Sequence, residues 1–106
     1  NRALMIPPPD SDARGFIPDA VPRNPTPGEL VWGQPYHFME AKGRRELSLG
    51  GNLKAMLDYV EQHGGQVELW IRSARHAQGP TRLTQPLQKR LEELRQEGKA
   101  EVKTFP

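Results

Sequence analysis

The spacing of apolar residues changes character several times along the chain. Residues 36–42, YHFMEAK, are a short apolar run ending in Glu40 and Lys42 and predict a β-strand. Upstream, GFIPDAV (15–21) is a first candidate strand. Pro18 assigns it to an edge or a bulge, because proline has no N–H for a ladder. PRNPTPGE (22–29) reads as a turn or loop, and ELVW (29–32) either joins 36–42 as one strand broken at Gly33-Gln34-Pro35 or stands as a separate one.

After GRRE the period changes. Leu49, Leu53, Met56, Leu57 and Val60 recur at three- and four-residue steps, the mark of an amphipathic helix. Ser48 is the expected N-cap, Gly50-Gly51 weakens the first turn so that regular helix is expected from near Asn52, and Gly64-Gly65 supplies the stop. QVELWIR (66–72) sets Val67, Leu69 and Ile71 on one face and Trp70 on the other, which predicts a central strand. SARHAQGPTR (73–82) is a polar, basic loop. Thr84 then caps a second helix with Pro86 in its first turn, Leu87, Leu91 and Leu94 on its buried side, and Gly98 at its end. AEVKTF (100–105) closes the series as a strand. The order β–β–(β)–α–β–α–β predicts an α/β domain with helices packed on the faces of a sheet.

Composition narrows this picture. A chain of 106 residues holds one domain. Eight of the eleven prolines fall in the first 35 positions, so residues 1–15, with Pro7-Pro8-Pro9, read as an extended linker or N-terminal arm feeding a domain over 16–106. Without cysteine there are no disulfides, thiolate zinc sites or cysteine nucleophiles. A net charge of +2 accommodates a polyanionic partner without requiring one. No apolar run approaches the roughly 20 residues of a membrane span. The start shows no signal-peptide pattern, and its lack of an initiator Met suggests a piece of a longer chain. His37, His63 and His76 lack metal-ligand spacing, and no nucleophile-elbow sequence is present.

Candidate chemistry sits at the end of the 36–42 strand. Glu40 and Lys42, two apart, leave the same face, with Ala41 turned away. Alone, such a pair is an ordinary surface ion pair. With Asp19 on a neighbouring strand it becomes the inventory for metal-dependent phosphodiester hydrolysis. One or two carboxylates hold Mg²⁺, the intervening carbonyl adds a ligand, and the lysine offsets developing charge or orients the attacking water. Arg44, Arg45 and Lys54 could grip phosphates nearby, or form a solvated rim. Arg72, Arg75, His76 and Arg82 make a second basic group, placed for nucleic acid, for an inhibitor protein, or for neither. Trp70 and Tyr59 read as core before they read as a stacking platform or a site hydroxyl.

Taken in succession, IPDAV, the strand into MEAKGR, LSLGGNLKAMLDYVEQHGG, VELWIR and TRLTQPLQKRLEEL resemble the PD-(D/E)xK, or restriction-endonuclease-fold, superfamily over roughly residues 16–105. More narrowly, they are similar to toxin domains at the C-termini of bacterial polymorphic toxins and secretion-system effectors. The resemblance implies a restriction-endonuclease-like core, a mixed sheet flanked by helices. It also implies a Mg²⁺-dependent nuclease (Mn²⁺ substituting), most readily a DNase, delivered into the cytoplasm of rival bacteria and neutralised in the producer by a cognate immunity protein. By matching position, Asp19, Glu40 and the Ala41 carbonyl would hold the metal, Lys42 would be the catalytic cation, and Asn52 would support the site. Relatives often carry a further acid on a helix before the first strand, and the proline-rich start here predicts no such helix. That departure keeps a non-catalytic nucleic-acid- or protein-binding module of the same fold as the alternative, alongside an RNase.

Overall fold

The computed structural model describes residues 4–22 and 30–106. The loop expected over 22–29 therefore lies outside the described residues beyond Pro22. Five strands and two helices follow in order: β1 (Tyr36–Lys42), β2 (Glu46–Leu47), α1 (Gly51–His63), β3 (Gly65–Arg72), β4 (Arg82–Leu83), α2 (Gln85–Gln96) and β5 (Ala100–Phe105). The three long strands form one parallel sheet in the order β1-β3-β5, with Glu40 beside Leu69 and Leu69 beside Val102. The domain is thus α/β, compact, and built on a mostly parallel sheet. None of its described helices is long and apolar enough to cross a membrane.

Register fixes the faces. Phe38 and Glu40 of β1, Val67, Leu69 and Ile71 of β3, and Ala100 and Val102 of β5 share one side. Both helices lie there. On α1, Tyr59 meets Phe38 edge-on at 5.6 Å, and Leu91 of α2 lines a cavity with Ala100 and Val102. The helices themselves are tied by Arg90, which reaches Asp58 at 2.8 Å and Glu61 at 3.0 Å. The opposite face carries Glu68, Trp70 and Lys103 and has no helix among the described residues. The helices expected on the sheet's faces therefore share one of them.

Local chemistry accounts for the boundaries. Helix α1 begins at Gly51, with Gly50 rather than Ser48 in the capping position and no side-chain cap, because the extended Gly50 delays the first helical turn by two residues. It stops at the Gly64-Gly65 pair. Gly65 has φ +95°, and a Cβ there would stand 2.2 Å from the Tyr36 carbonyl oxygen, so only glycine allows β3 to start against β1. Thr84 occupies the α2 N-cap position with Pro86 in the first turn, but its hydroxyl makes no cap bond and is buried without a partner.

Three expectations need correction. GFIPDAV is not a strand. It touches β1 through a single antiparallel bridge, Ala20 to Met39, with N–H···O distances of 3.2 and 2.8 Å. Pro18 has no N–H to continue the ladder, and the Asp19 N–H turns to a side chain instead. Residues 30–32 are not a strand either; they lead into a turn, and Trp32 packs edge-on against Tyr59 at 4.8 Å. The sheet formed by the named strands is parallel rather than mixed, its antiparallel element reduced to the Ala20 bridge.

The Pro-rich start closes on the domain. Met5 and Phe16 exchange backbone bonds of 2.8 and 3.1 Å, both side chains are buried, and Phe16 meets Phe38 at 5.3 Å and Tyr59 at 5.6 Å. These edge-on rings extend the core under residues 16–20 and so support the chain that carries Asp19. The short strands β2 and β4 pair with each other, Leu47 beside Leu83, and bury Leu47.

Candidate functional site

Strand β1 delivers its chemistry at its C-terminal end. Glu40 points to the helix side and is only 1% exposed. Its Oε1 accepts the Asp19 N–H at 3.0 Å, and its Oε2 accepts Asn52 Nδ2 at 3.2 Å. Lys42 Nζ lies 3.4 Å from that same Oε2, as the two-residue spacing on one strand face requires. Asp19 returns the bond: its Oδ2 accepts the Ala41 N–H at 2.8 Å.

Pro18 ends the ladder where Asp19 and Ala41 meet. Met39 directs both backbone groups towards Ala20, so alternation sends those of Ala41 to the same edge. A continuing ladder would pair Ala41 with residue 18. Because residue 18 is proline, it offers the Ala41 carbonyl no donor. The Ala41 N–H donates to Asp19 Oδ2, and the Asp19 N–H to Glu40, so the Asp19 segment is joined to the end of β1 by side chains rather than by ladder bonds.

Asn52, in the first turn of α1, holds the assembly in register. Its Oδ1 accepts the Ile17 N–H at 2.8 Å, and its Nδ2 donates to the Ile17 carbonyl at 2.8 Å as well as to Glu40. One amide therefore fixes the peptide before Pro18-Asp19 and the Glu40 carboxylate together. Asn52, expected from the resemblance to support the site, contacts Glu40 directly. Its clamp on Ile17 is a bond that no periodicity announces.

Before these residues lies a cleft of about 380 Å³ lined by Lys42, Arg44, Ser48, Gly50, Gly51 and Asn52, among others. The N-terminus of α1 opens onto it with no acidic residue in the first turn and no side-chain cap, leaving backbone N–H groups and the positive helix end facing the space. Arg44, Lys42 (itself paired with Glu40) and the helix N-terminus favour an anion here, while Glu46, which also lines the cleft, opposes it. Ser48, read in sequence as a cap, belongs to its wall. The adjacent glycine pair was the available signal that this helix start is bare.

The other basic residues fare unequally. Arg44 lines the cleft, and Arg45 is exposed nearby with its carbonyl accepting the Arg82 N–H at 2.8 Å. Lys54 points elsewhere, pairing with Asp58 at 2.8 Å one turn along α1. Arg72 is not a nucleic-acid contact. It is 5% exposed, and its guanidinium reaches Gln78 at 3.0 Å while Thr81 Oγ1 accepts its backbone N–H, so the 73–81 loop folds over it. The Tyr59 hydroxyl is likewise spent away from the site, accepting the Gly33 N–H and donating to the Gln34 carbonyl.

As a metal site, the donor set is two carboxylates and one carbonyl. No group of three or more His, Cys, Asp or Glu side chains placed to hold a metal ion occurs among the described residues. Mg²⁺ is commonly held by one or two carboxylates while retaining several waters. Of the expected ligands, both Glu40 oxygens and Asp19 Oδ2 accept hydrogen bonds within the chain, and Ala41 is engaged through its N–H. Comparison with protein-family profiles, curated proteins and solved structures finds no match to this chain.

Proposed function

We propose that this chain is a Mg²⁺-dependent nuclease domain with a restriction-endonuclease-like core, acting on DNA as the toxic part of a larger bacterial antagonism effector. The supporting observation is that Asp19, Glu40, Lys42 and Asn52, drawn from three separate segments, converge through hydrogen bonds and one ion pair beside a cleft that Arg44 lines. The crossing of the Asp19 segment against β1, followed by a helix and a parallel neighbour, agrees with the PD-(D/E)xK resemblance. The delivery route, the target cytoplasm and the cognate immunity protein follow from the resemblance alone.

In this reading Asp19, Glu40 and the Ala41 carbonyl hold the ion. Bound Mg²⁺ would supply positive charge to the phosphoryl group and lower the pKa of a water. The chain's own residues do the rest. Arg44 and the α1 N-terminus seat a phosphate in the cleft. Lys42, held by Glu40 at the cleft wall, places its ammonium where negative charge grows on the phosphate during in-line attack. Asn52 keeps Glu40 and the Asp19 segment from parting.

The test is cleavage of plasmid DNA by the purified chain in Mg²⁺, with and without chelator. Cutting that chelator does not suppress would refute the metal mechanism. Single-stranded DNA and total RNA run in parallel decide the substrate, an RNase being the same chemistry on another polymer. One observation favours a second reading. Both Glu40 oxygens are already bonded within the chain and no third acidic ligand is present among the described residues, which suits a nucleic-acid- or protein-binding module that does not cut. Salt-sensitive DNA binding without Mg²⁺ uptake or cleavage would favour that module.

A further inference from the structure

The outer edge of β5 carries a pattern that fits a second copy of itself. Strand order β1-β3-β5 leaves β5 at the margin of the sheet among the described residues. The Lys99 carbonyl accepts the N–H of Val67 on β3 at 2.9 Å, and the Phe105 carbonyl accepts the N–H of Ser73, just past the end of β3, at 2.8 Å. Successive residues of a strand direct their backbone groups to opposite edges. The N–H and C=O groups of Ala100, Val102 and Thr104 consequently face outward, a ready template for another strand.

We propose that the chain forms a two-fold symmetric dimer by antiparallel pairing of β5 with β5 of a second copy, centred on Val102. In that register Val102 opposes Val102 of the second copy and Ala100 opposes Thr104. Every outward backbone group of these three residues then gains a partner in both copies. Glu101 falls opposite Lys103 of the second copy, twice by symmetry. Both side chains lie on the helix-free face, Glu101 largely exposed and its in-chain contact with Lys103 long at 3.8 Å. A lone lysine on an edge strand discourages pairing. A glutamate and a lysine placed evenly about the centre of the strand make the edge self-complementary.

The helix-side face agrees independently. Val102 is 39% exposed there, unusual for the middle of a strand whose neighbour Leu69 is fully buried. Beside it α2 and β5 leave a cavity of about 470 Å³ whose apolar floor is Leu83, Leu91, Ala100 and Val102, with Gln88, Glu92 and Arg95 of α2 at its side. A two-fold axis perpendicular to the sheet sets both helical layers on the same side, bringing the two half-covered apolar strips together. Helix α2 crowds this margin, while the Asp19–Glu40–Lys42 site lies at the far edge on β1 and stays open. The dimer goes beyond the nuclease reading and does not depend on it.

Sedimentation velocity on the purified chain from micromolar to millimolar concentration tests the proposal, the 12.0 kDa monomer giving way to a species of twice that mass. Glu101→Lys, which sets like charges opposite each other, is expected to weaken association at least about tenfold. Lys103→Glu does the same alone, and an equimolar mixture of the two variants recovers dimer as the heterodimer. Because Lys103 also pairs with Glu68 at 3.5 Å, folding of that variant is checked by circular dichroism. Val102→Pro provides a second route, removing one outward donor while leaving the β3 ladder intact. Amide exchange at Ala100, Val102 and Thr104 should slow with concentration, while Glu101 and Lys103 do not respond. A wild-type chain that stays monomeric at millimolar concentration overturns the proposal, as does a dimer indifferent to both Glu101→Lys and Val102→Pro.

Discussion

Two glutamates are buried in this small sheet, one on each face, and they are held in opposite ways. Glu68 sits on the central strand, and its partners are side chains of the sheet itself: Trp70 Nε1, His37 Nε2 at 3.1 Å and Lys103 Nζ at 3.5 Å. The Trp70 bond above all, with His37 and Lys103 adding to it, holds the Glu68 carboxyl below the usual carboxylate range against the opposing effect of burial. Glu40 sits on the edge strand, and two of its bonds come from outside the sheet, from the backbone of Asp19 and the amide of Asn52. A cleft lined by its third partner, Lys42, adjoins it. Burial by ladder neighbours makes a staple. Burial by converging segments beside a cleft makes a poised group. A buried charge therefore signals function only when the source of its partners is known.

The sharpest break of this contrast is a matched pair of substitutions. Glu40→Gln is expected to abolish Mg²⁺-dependent cleavage, because it removes a ligand charge and turns an amide donor towards Asn52 Nδ2 and Lys42. Glu68→Gln should keep cleavage and lose stability, on the order of 1–3 kcal/mol for charge-assisted bonds, measured by urea denaturation. A reversed outcome, with activity tracking Glu68 and not Glu40, would dissolve the distinction. Lys42→Ala is expected to lower kcat about 10²–10³-fold, the range for loss of one transition-state charge partner, with the fold retained.

Asn52→Ala comes next in size. It frees both the Ile17 peptide and Glu40, so cleavage should fall roughly 10–100-fold, as for the loss of a group that orients a metal ligand. Since the effect runs through geometry, Mg²⁺ affinity by calorimetry should weaken in step with rate. A variant with wild-type Mg²⁺ affinity and reduced kcat would assign Asn52 to substrate contact instead.

Glu68 can also be tested in acid. Glu68 titrates lower in the folded chain than the ordinary 4.5. Above that ordinary value both folded and unfolded states are ionised and the stabilisation is complete. As pH falls below it, the unfolded state takes up its proton first, and the contribution is lost as pH passes the lowered folded value. Thermal denaturation of wild type and Glu68→Gln from pH 7 to 3 should show a stability gap that is constant down to the ordinary carboxylate range and closes below it. A gap that widens in acid would reverse the assigned sign.

How much of this was legible depends on range. The two helices and strands β3 and β5 follow from periods of 3.6 and 2, and β1 from a short apolar run, signals that a single segment expresses by itself. That Glu40 and Lys42 share a face follows likewise. Strands β2 and β4, two residues each, carry no period to read. Met5 lies between Leu4 and Ile6 ahead of three prolines, and only its pairing with Phe16, eleven positions on, marks it as the buried one of the three. Arg72 misleads because its charge suggests solvent, whereas the 73–81 loop covers it. Asp19 follows from the carboxylates that metal-assisted hydrolysis asks for beside Glu40 and Lys42. Its placement rests on its bond to the Ala41 N–H and on the Asn52 clamp, neither of which spacing could supply.

The smallest expected effects separate two cations that looked alike in the sequence. Arg44 lines the cleft, whereas Lys54 spends its charge on Asp58 along α1. Arg44→Ala should weaken DNA binding uniformly across sequences and reduce the slope of log K against log salt by about 1, as expected when one phosphate contact is lost. Lys54→Ala should leave that slope unchanged and cost about 0.3–0.5 kcal/mol of stability through its helix pair. Fluorescence anisotropy with a short duplex over a salt series, in Ca²⁺ to prevent cutting, reads both. If Lys54→Ala flattened the slope as much as Arg44→Ala, the nucleic acid would have to run along the outer surface of α1, and the cleft beside Glu40 would lose its claim to the phosphate.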